Sequence, residues 1–131
     1  MSRLLDLAEL MARLLLAALF LMDGQWIFAN YGGTARYLAG NGVPAALLPF
    51  ALATIVVGGL LVALGWRTRL AALALGGFCI STAFLFHVNS GDFSEQIHFW
   101  KDLAIAGGFL ALVAHGAGRI SVDRKLAKPR A

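Results

Sequence analysis

The sequence predicts an all-α integral membrane protein, built as a four-helix bundle. Hydrophobic residues make up 60% of the 131 residues and charged residues only 14%, whereas a water-soluble domain has about 25% charged residues. The apolar residues fall in four long stretches, and most of the charged residues lie outside them, in the connections and at the two ends of the chain. Because about 20 apolar residues cross the hydrocarbon core of a bilayer as a helix, the chain has room for four spans and short connections.

The first predicted span covers residues 10–29. Glu9 and Arg13 lie four positions apart at its start, in the acid-before-base order that stabilises a helix. Because acidic residues precede this stretch and no small-residue cleavage site follows it, we predict a retained helix and not a cleaved signal peptide. Residues 31–44 are rich in Gly, Asn and Pro and predict a loop with a short interfacial helix.

The remaining predicted spans cover residues 45–64, 70–88 and 96–115. A polar loop separates the third span from the fourth, and a basic tail occupies residues 119–131. We treat residues 1–131 as a single transmembrane domain. Pairs of adjacent glycines lie near the middle of these three spans, at 58–59, 76–77 and 107–108. Since small residues let helices approach closely in a bilayer, they predict a tightly packed bundle.

The distribution of cations predicts the orientation. All but two of the 11 Lys and Arg residues fall on one predicted side of the membrane, and only Arg36 and Lys101 fall on the other. The positive-inside rule therefore places both termini in the cytoplasm. The net charge of +4 is explained by this asymmetry and by the anionic lipid of that leaflet, so no nucleic-acid partner is expected.

Polar residues within the predicted spans gather near the outer, periplasmic end. Ionisable groups at the centre of a membrane cost about 2.5–3.5 kcal/mol and often mark functional sites. His98, Lys101 and Asp102 share one helical face, and Asp23 and Trp26 form a similar stripe on the first helix. We predict a pocket for a cofactor head group, lined by Asp23, Trp26, His87, His98, Lys101 and Asp102. The structural alternative is an ion pair of Lys101 with Asp23 or Asp102 that fixes the helix register.

Other site chemistries are less well supported by the sequence. His87, His98, Asp102 and Asp23 could ligate iron, zinc or copper, but no closely spaced ligand motif supports this, so we predict no metal site. No nucleophile with its base and no phosphate-binding glycine loop is recognisable, and catalytic residues remain unassigned. The single cysteine, Cys79, lies within the third span and excludes an intrachain disulfide.

Several short segments of the chain follow one another in an order and spacing that resemble the pattern of a known family. They are ARLLL at 12–16, GTARYL at 33–38, GVP at 42–44, GGL at 58–60, TAFLFH at 82–87 and FWKDL at 99–103. Over nearly its whole length the chain resembles the DoxX family of small bacterial four-helix membrane proteins. The family is named for its similarity to the membrane subunit of a thiosulfate:quinone oxidoreductase, and its members are associated with sulfur-linked redox and oxidative-stress complexes.

The resemblance implies a multi-pass protein of the bacterial inner (plasma) membrane, with quinone as the possible cofactor. Arg13, His87 and Lys101 match recurrent polar positions of the family. The chain departs from the family pattern where a lysine usually follows the first-helix glycine and where a glutamate usually precedes the second-helix glycines. It also has Lys101-Asp102 in place of the usual Lys-Asn, so that Asp102 and Asp23 could supply the carboxylate opposite Lys101.

Two functions follow from these observations. The first is a quinone-linked or redox-associated membrane component, in which imidazole and ammonium groups bind the quinone carbonyls and a carboxylate transfers protons. The second is a non-catalytic accessory subunit that docks onto and stabilises a larger respiratory or photosynthetic membrane complex. In both, the partners are the lipid bilayer and other membrane subunits or further copies of the chain. Whether the protein is an enzyme is left open. A transporter is less favoured, since no broken helix marks a midplane site.

Overall fold

The computed structural model describes residues 2–87 and 91–127. The first helix, α1, runs over Ser2–Ala29 and is followed by α2, Tyr31–Gly40. A 3₁₀ turn at Ala45–Leu47 leads into α3, Leu48–Leu64. The predicted end of the third span at Val88, the start of the polar loop and the last four residues of the basic tail lie outside the described residues.

The second half of the chain repeats the pattern of long apolar helices. The helix α4, Thr68–Thr82, continues into a wider π-helical turn, Ala83–His87. The helix α5 covers Phe93–His115, and the short helix α6, Val122–Leu126, lies in the tail.

Local sequence signals account for the ends of these helices. Pro49 lies in the first turn of α3, where its missing N–H costs nothing. The same helix ends at Gly65, which adopts the left-handed conformation with φ of 70°. At the start of α5, the Asp92 carboxylate accepts a hydrogen bond from the Ser94 N–H at 3.2 Å. This cap starts α5 at Phe93, three residues before the predicted start at Gln96.

The fold class is confirmed as an all-α membrane protein. Within the described residues, three helical stretches are long and apolar enough to cross a membrane: Ala45–Leu64, Thr68–His87 and Phe93–His115. The first of them has the same bounds as the second predicted span. The helix α1 has 28 residues, and its role as a fourth span stays a prediction, as does the cytoplasmic location of both termini.

The long helices pack in a chain of neighbours. The helix α4 lies against α5 and α3, and α3 lies against α1, whereas α1 and α5 touch at few positions. Their contact includes Phe20 and Phe109, whose rings meet edge to face at 5.4 Å between centroids. Phe109, Ile55 and Leu75 are fully buried at the centre of the core.

Some of the paired glycines lie at close helix contacts, and others do not. A Cβ atom on Gly58 would lie 3.0 Å from the Leu75 side chain, and one on Gly76 would lie 3.3 Å from Phe109 Cβ. Beyond the adjacent backbone of its own helix, a Cβ atom on Gly77 would meet no atom of the described residues within 4 Å. Close packing therefore explains Gly58 and Gly76, but it does not explain Gly77.

Candidate functional site

A cavity of about 880 Å³ opens between α1, α3, α4 and α5 at the end of the bundle that carries α2. The sparse contact between α1 and α5 leaves room for it, and the α2 residues Thr34, Tyr37 and Leu38 contribute to its lining. Most of the lining is apolar, including Phe20, Ile27, Leu48, Ile55, Phe78 and Ile105. The histidines and the charged residues of the lining come from α1, the π-helical turn and α5. The cavity can therefore hold a molecule that is largely apolar and carries a polar group.

A row of polar side chains runs from the outer rim into this cavity. His87 Nδ1 pairs with Glu95 Oε2, and His87 Nε2 lies 3.8 Å from Asp102 Oδ2. The Thr82 hydroxyl donates a hydrogen bond of 3.1 Å to the same Asp102 oxygen. The His98 ring lies 5.5 Å from the His87 ring, between centroids. The row links the end of α4 to the first turns of α5.

The π-helical turn positions His87. Such turns are rare and are frequently found at functional sites. Ala83, its first residue, is fully buried, whereas the His87 side chain is 19% exposed and faces Glu95 and Asp102 of α5. The turn thus ends α4 with an imidazole between two carboxylates.

The structure brings together five of the six predicted site residues. Asp23, His87, His98, Lys101 and Asp102 all line the cavity. Trp26 is not among the lining residues, and its side chain is 61% exposed. The stripe predicted on α1 is therefore divided, with Asp23 at the cavity and Trp26 on the outer surface of the bundle.

Lys101 has no direct carboxylate partner among the residues that the structure describes. The ion pairs found there join His87 to Glu95 and to Asp102. The predicted ion pair of Lys101 with Asp23 or Asp102 is thus not formed within 4.0 Å. The Lys101 ammonium group therefore has no carboxylate within 4.0 Å in residues 2–87 and 91–127, even though Asp23 and Asp102 line the same cavity.

Glu95 and Thr82 were missed as site residues by the sequence analysis. The sequence places Glu95 in the polar loop before the fourth predicted span, whereas in the structure it is the third residue of α5. A helical signal was present, because Glu95, His98 and Asp102 follow the i, i+3, i+7 spacing of a single helix face. Thr82 gave no signal of its own, since its role depends on the packing of α4 against α5.

No group of three His, Cys, Asp or Glu residues within 2–87 and 91–127 is placed to hold a metal ion. His87 lies beside the carboxylates of Glu95 and Asp102. His87 Nε2 and Asp102 Oδ2 are separated by 3.8 Å. The described contacts of these groups are ion pairs and hydrogen bonds.

A second polar cluster lies at the opposite end of the bundle, around Arg13. This residue is only 1% exposed. Its Nη1 donates to the carbonyl oxygens of Ala117 at 2.6 Å and Ile120 at 2.8 Å, and its Nη2 donates to Ala63 O at 3.3 Å. Arg13 is therefore an interior link between α1, α3 and the segment after α5, and not one of the exposed cations that set the orientation.

Asp123 completes this cluster. Its carboxylate accepts hydrogen bonds from the backbone N–H groups of Arg67 at 2.7 Å and Thr68 at 3.0 Å, and so caps α4. Its own N–H donates to Gly65 O at 2.8 Å. Burial by itself would raise the pKa of Asp123, but the two N–H donors and the Arg13 charge together hold it below its usual value.

Comparison with known proteins identifies the family. A model of the DoxX family matches residues 8–88. The chain belongs to the DoxX family. It is 41% identical over 128 residues to the inner membrane protein YqjF of Escherichia coli K12, covering 98% of each chain. It is 33% identical over 123 residues to the inner membrane protein YphA of the same organism, covering 88% of each chain.

A more distant similarity links this DoxX-family chain to the ER-derived vesicles protein ERV29 of Saccharomyces cerevisiae. The two are 28% identical over 82 residues, which is 58% of this chain and 26% of the yeast protein. No solved structure matches the chain. The resemblance found in the sequence is confirmed, and the DoxX-family protein is a multi-pass protein of the bacterial inner membrane. The matched range includes Asp23 and His87 and ends before the polar residues of α5.

Proposed function

We propose that this DoxX-family protein binds the head group of a lipophilic quinone and serves as the quinone-linked component of a membrane redox system. The observation that carries the proposal is the cavity of about 880 Å³, which is apolar along most of its wall and has Lys101, His98 and Asp102 on α5. Ligand sites commonly combine an apolar lining with a few convergent polar groups. A quinone has the matching shape, with an apolar tail and two carbonyl oxygens on its ring.

Lys101 and His98 are the proposed donors to the quinone carbonyls. A lysine ammonium has three donors and no acceptor, and an imidazole offers a donor at one ring nitrogen or at both. Lys101 has no carboxylate within 4.0 Å in the described parts of the chain, so its donors are available to a ligand. The rings of Tyr37 and Phe86, 5.4 Å apart between centroids, both line the cavity and offer an aromatic surface for the quinone ring.

The row of Glu95, His87 and Asp102 is proposed to carry protons between the rim and the cavity. Reduction of a quinone to its quinol takes up two electrons and two protons. We assign the electrons to the redox centre of a partner subunit and the protons to this row. Glu95 is 34% exposed at the rim, whereas Asp102 is 23% exposed at the cavity wall. A proton can thus pass from Glu95 to the His87 imidazole and on to Asp102, because these side chains lie next to one another in that order.

Quinone binding by the purified protein tests this function. Short-chain ubiquinone and menaquinone would be added to the protein in neutral detergent, and bound quinone would be measured after rapid filtration. We expect His98→Ala and Lys101→Met each to weaken binding about tenfold, the effect of losing one hydrogen bond of about 1.4 kcal/mol. Trp26→Phe, which changes a large side chain outside the cavity, is the matched control. Failure to bind quinone, or equal binding by all variants, would reject the proposal.

The accessory-subunit function remains the second candidate. The observation in its favour is a set of large exposed aromatic side chains near the cavity end of the bundle, including Trp26 at 61%, Phe28 at 76% and Phe50 at 71%. These side chains can contact a helix of another subunit as readily as lipid. Native electrophoresis of membranes in mild detergent, followed by mass spectrometry, would detect the larger complex. Migration as an isolated monomer or homodimer would contradict this function.

A further inference from the structure

A second cavity, of about 800 Å³, lies at the end of the bundle opposite the proposed quinone site. Its wall is formed by the start of α1, the turn between α3 and α4, and the segment from the end of α5 through α6. Four arginines line it: Arg67, Arg69, Arg119 and Arg124. This concentration of guanidinium groups in one concave surface indicates a site for an oxyanion.

The two segments that supply these arginines are fixed to each other. Arg67 and Arg69 flank the start of α4, and Arg119 and Arg124 lie more than 45 residues later in the chain. The Asp123 carboxylate binds the backbone N–H of Arg67, and Arg13 binds the carbonyl oxygens on either side of Arg119, at Ala117 and Ile120. The arginines therefore project from backbone that is held in place before any ligand arrives.

The charges around the cavity are not mutually neutralised by direct contact. Asp6, Glu9 and Asp123 also line it. Asp123 is occupied by two backbone N–H groups, and the Glu9 carboxylate packs against Gly118. Throughout the described ranges, the ion pairs within 4.0 Å involve His87 and none of these arginines. The guanidinium groups thus remain available to an anion.

Arg69 has a defined position at this surface. A Cβ atom on Gly116 would lie 3.3 Å from Arg69 Nε and 3.4 Å from its Nη2. The guanidinium group therefore packs over the Gly116 backbone, where φ is +80°. A larger residue at position 116 would be strained and would also displace this side chain.

The apolar part of the lining indicates what carries the oxyanion. Leu5 and Leu70 line the same cavity and are 56% and 64% exposed. They lie at the starts of the long apolar helices α1 and α4. A ligand that lies along both the arginines and these leucines needs an oxyanion and hydrocarbon chains on one molecule, and a phospholipid has both.

We propose that this cavity binds an anionic phospholipid of the inner leaflet. The arginines hold its phosphate oxygens through charge-assisted hydrogen bonds, and its acyl chains run beside Leu5 and Leu70. The predicted cytoplasmic position of this end matches the leaflet in which basic segments meet anionic lipid. The site is independent of quinone binding, since it shares no residue with the cavity at the other end.

The test compares lipid binding by variants that lose the same charge at different places. The full chain in neutral detergent would be titrated with phosphatidylglycerol, and bound lipid would be counted by native mass spectrometry. We expect the natural chain to hold one phosphatidylglycerol tightly. In Arg69→Gln and in Arg119→Gln the affinity should be at least about tenfold lower, because each variant loses a phosphate contact and a tenfold change corresponds to about 1.4 kcal/mol. Arg3→Gln and Lys125→Gln remove one charge on the same predicted side without altering the cavity lining, and should retain the affinity.

Three results would overturn the proposal. Equal weakening by Arg3→Gln and Lys125→Gln would show a diffuse charge effect in place of a site. Binding of phosphatidylcholine with the same affinity as phosphatidylglycerol would show that the net negative charge of the head group is not recognised. Displacement of the lipid by millimolar inorganic phosphate would identify a free-phosphate site. Circular dichroism of each variant would verify that α-helix content is unchanged, and Gly116→Ala should reproduce the loss without removing any charge.

Discussion

Arg13 Nη1 donates a hydrogen bond of 2.6 Å to the carbonyl oxygen of Ala117, a residue 104 positions later in the chain. The contact joins the first long helix to the segment that follows the last one. The final carbonyl groups of a helix and of the turn after it have no partners within the helix. The buried guanidinium supplies donors to that region and thereby closes this end of the bundle.

Replacing Arg13 should strongly destabilise the fold. In Arg13→Met, the carbonyl oxygens of Ala117, Ile120 and Ala63 lose their donor, and Ala117 lies at the protein interior. We expect a loss of about 3 kcal/mol in the free energy of unfolding, the order expected when buried acceptors lose a charged donor. Unfolding by denaturing detergent, followed by circular dichroism, measures this. Arg3→Met, which removes an exposed arginine from the same helix, should change little. Similar stability of the two variants would contradict the structural role of Arg13.

The Asp123 cap predicts a dependence of stability on pH. The folded state holds the Asp123 pKa below its usual value of 3.8, so at pH values between the folded and unfolded pKa the unfolded chain binds more protons. The stabilisation is complete above about pH 4, the unfolded pKa, and is lost as the pH falls through the lower folded pKa. Asp123→Asn should therefore be less stable than the natural chain at pH 7, and the difference should shrink at acid pH. A difference that stays constant with pH would refute this account.

The glycine pairs predict different results for two alanine substitutions, one in α3 and one in α4. In Gly58→Ala, the new methyl group would lie 3.0 Å from Leu75, which is fully buried and cannot move freely. We expect a destabilisation of about 1–3 kcal/mol, typical of overpacking. Gly77→Ala has the same chemistry, but apart from the adjacent backbone of α4 no atom of the described residues lies within 4 Å of the added methyl group, so no overpacking is expected. Detergent-unfolding curves should separate the two, and equal destabilisation would show that helix contact does not explain Gly58.

The pair of His87 and Glu95 should hold the first turn of α5 against the end of α4. In Glu95→Ala this link is removed, and the amide groups at the start of α5 should exchange hydrogen for deuterium faster. Mass spectrometry of peptic fragments after exchange in detergent micelles gives the measurement. Gln96→Ala changes the adjacent, exposed residue and should leave the exchange rate unaltered. Unchanged exchange in Glu95→Ala would contradict this role, since the Asp92 cap and the packing of α5 would then be sufficient to hold its first turn in place.

The predicted orientation can be tested by labelling of introduced cysteines. Cys79 is 2% exposed and would be replaced by Ala. Asp92→Cys should then react with a membrane-impermeant maleimide added to the periplasmic side of spheroplasts, whereas Lys125→Cys should react only after the membrane is opened. Labelling of both from one side would contradict the arrangement of four spans with cytoplasmic termini.

The polar site shows how far sequence spacing can reach. Within α5, the faces of His98, Lys101 and Asp102 follow from helical periodicity, and these residues do line one cavity. Periodicity does not define how α1 is rotated about its axis. Asp23 and Trp26 lie on one predicted stripe of α1, yet only Asp23 reaches the cavity. The stripe is wider than the surface of α1 that faces the other helices, so Trp26 lies outside that surface and is 61% exposed.

Hydropathy alone determined the membrane environment and the position of the second span, because the energetic cost of placing polar groups in lipid depends on residue type more than on neighbours. Only the tertiary structure decided which polar groups meet. The burial of Arg13 depends on carbonyl oxygens at Ala63, Ala117 and Ile120, and the pairing of His87 with Glu95 depends on where α4 ends against α5. Such contacts join distant parts of the chain, and their geometry arises from helix packing that no local pattern encodes.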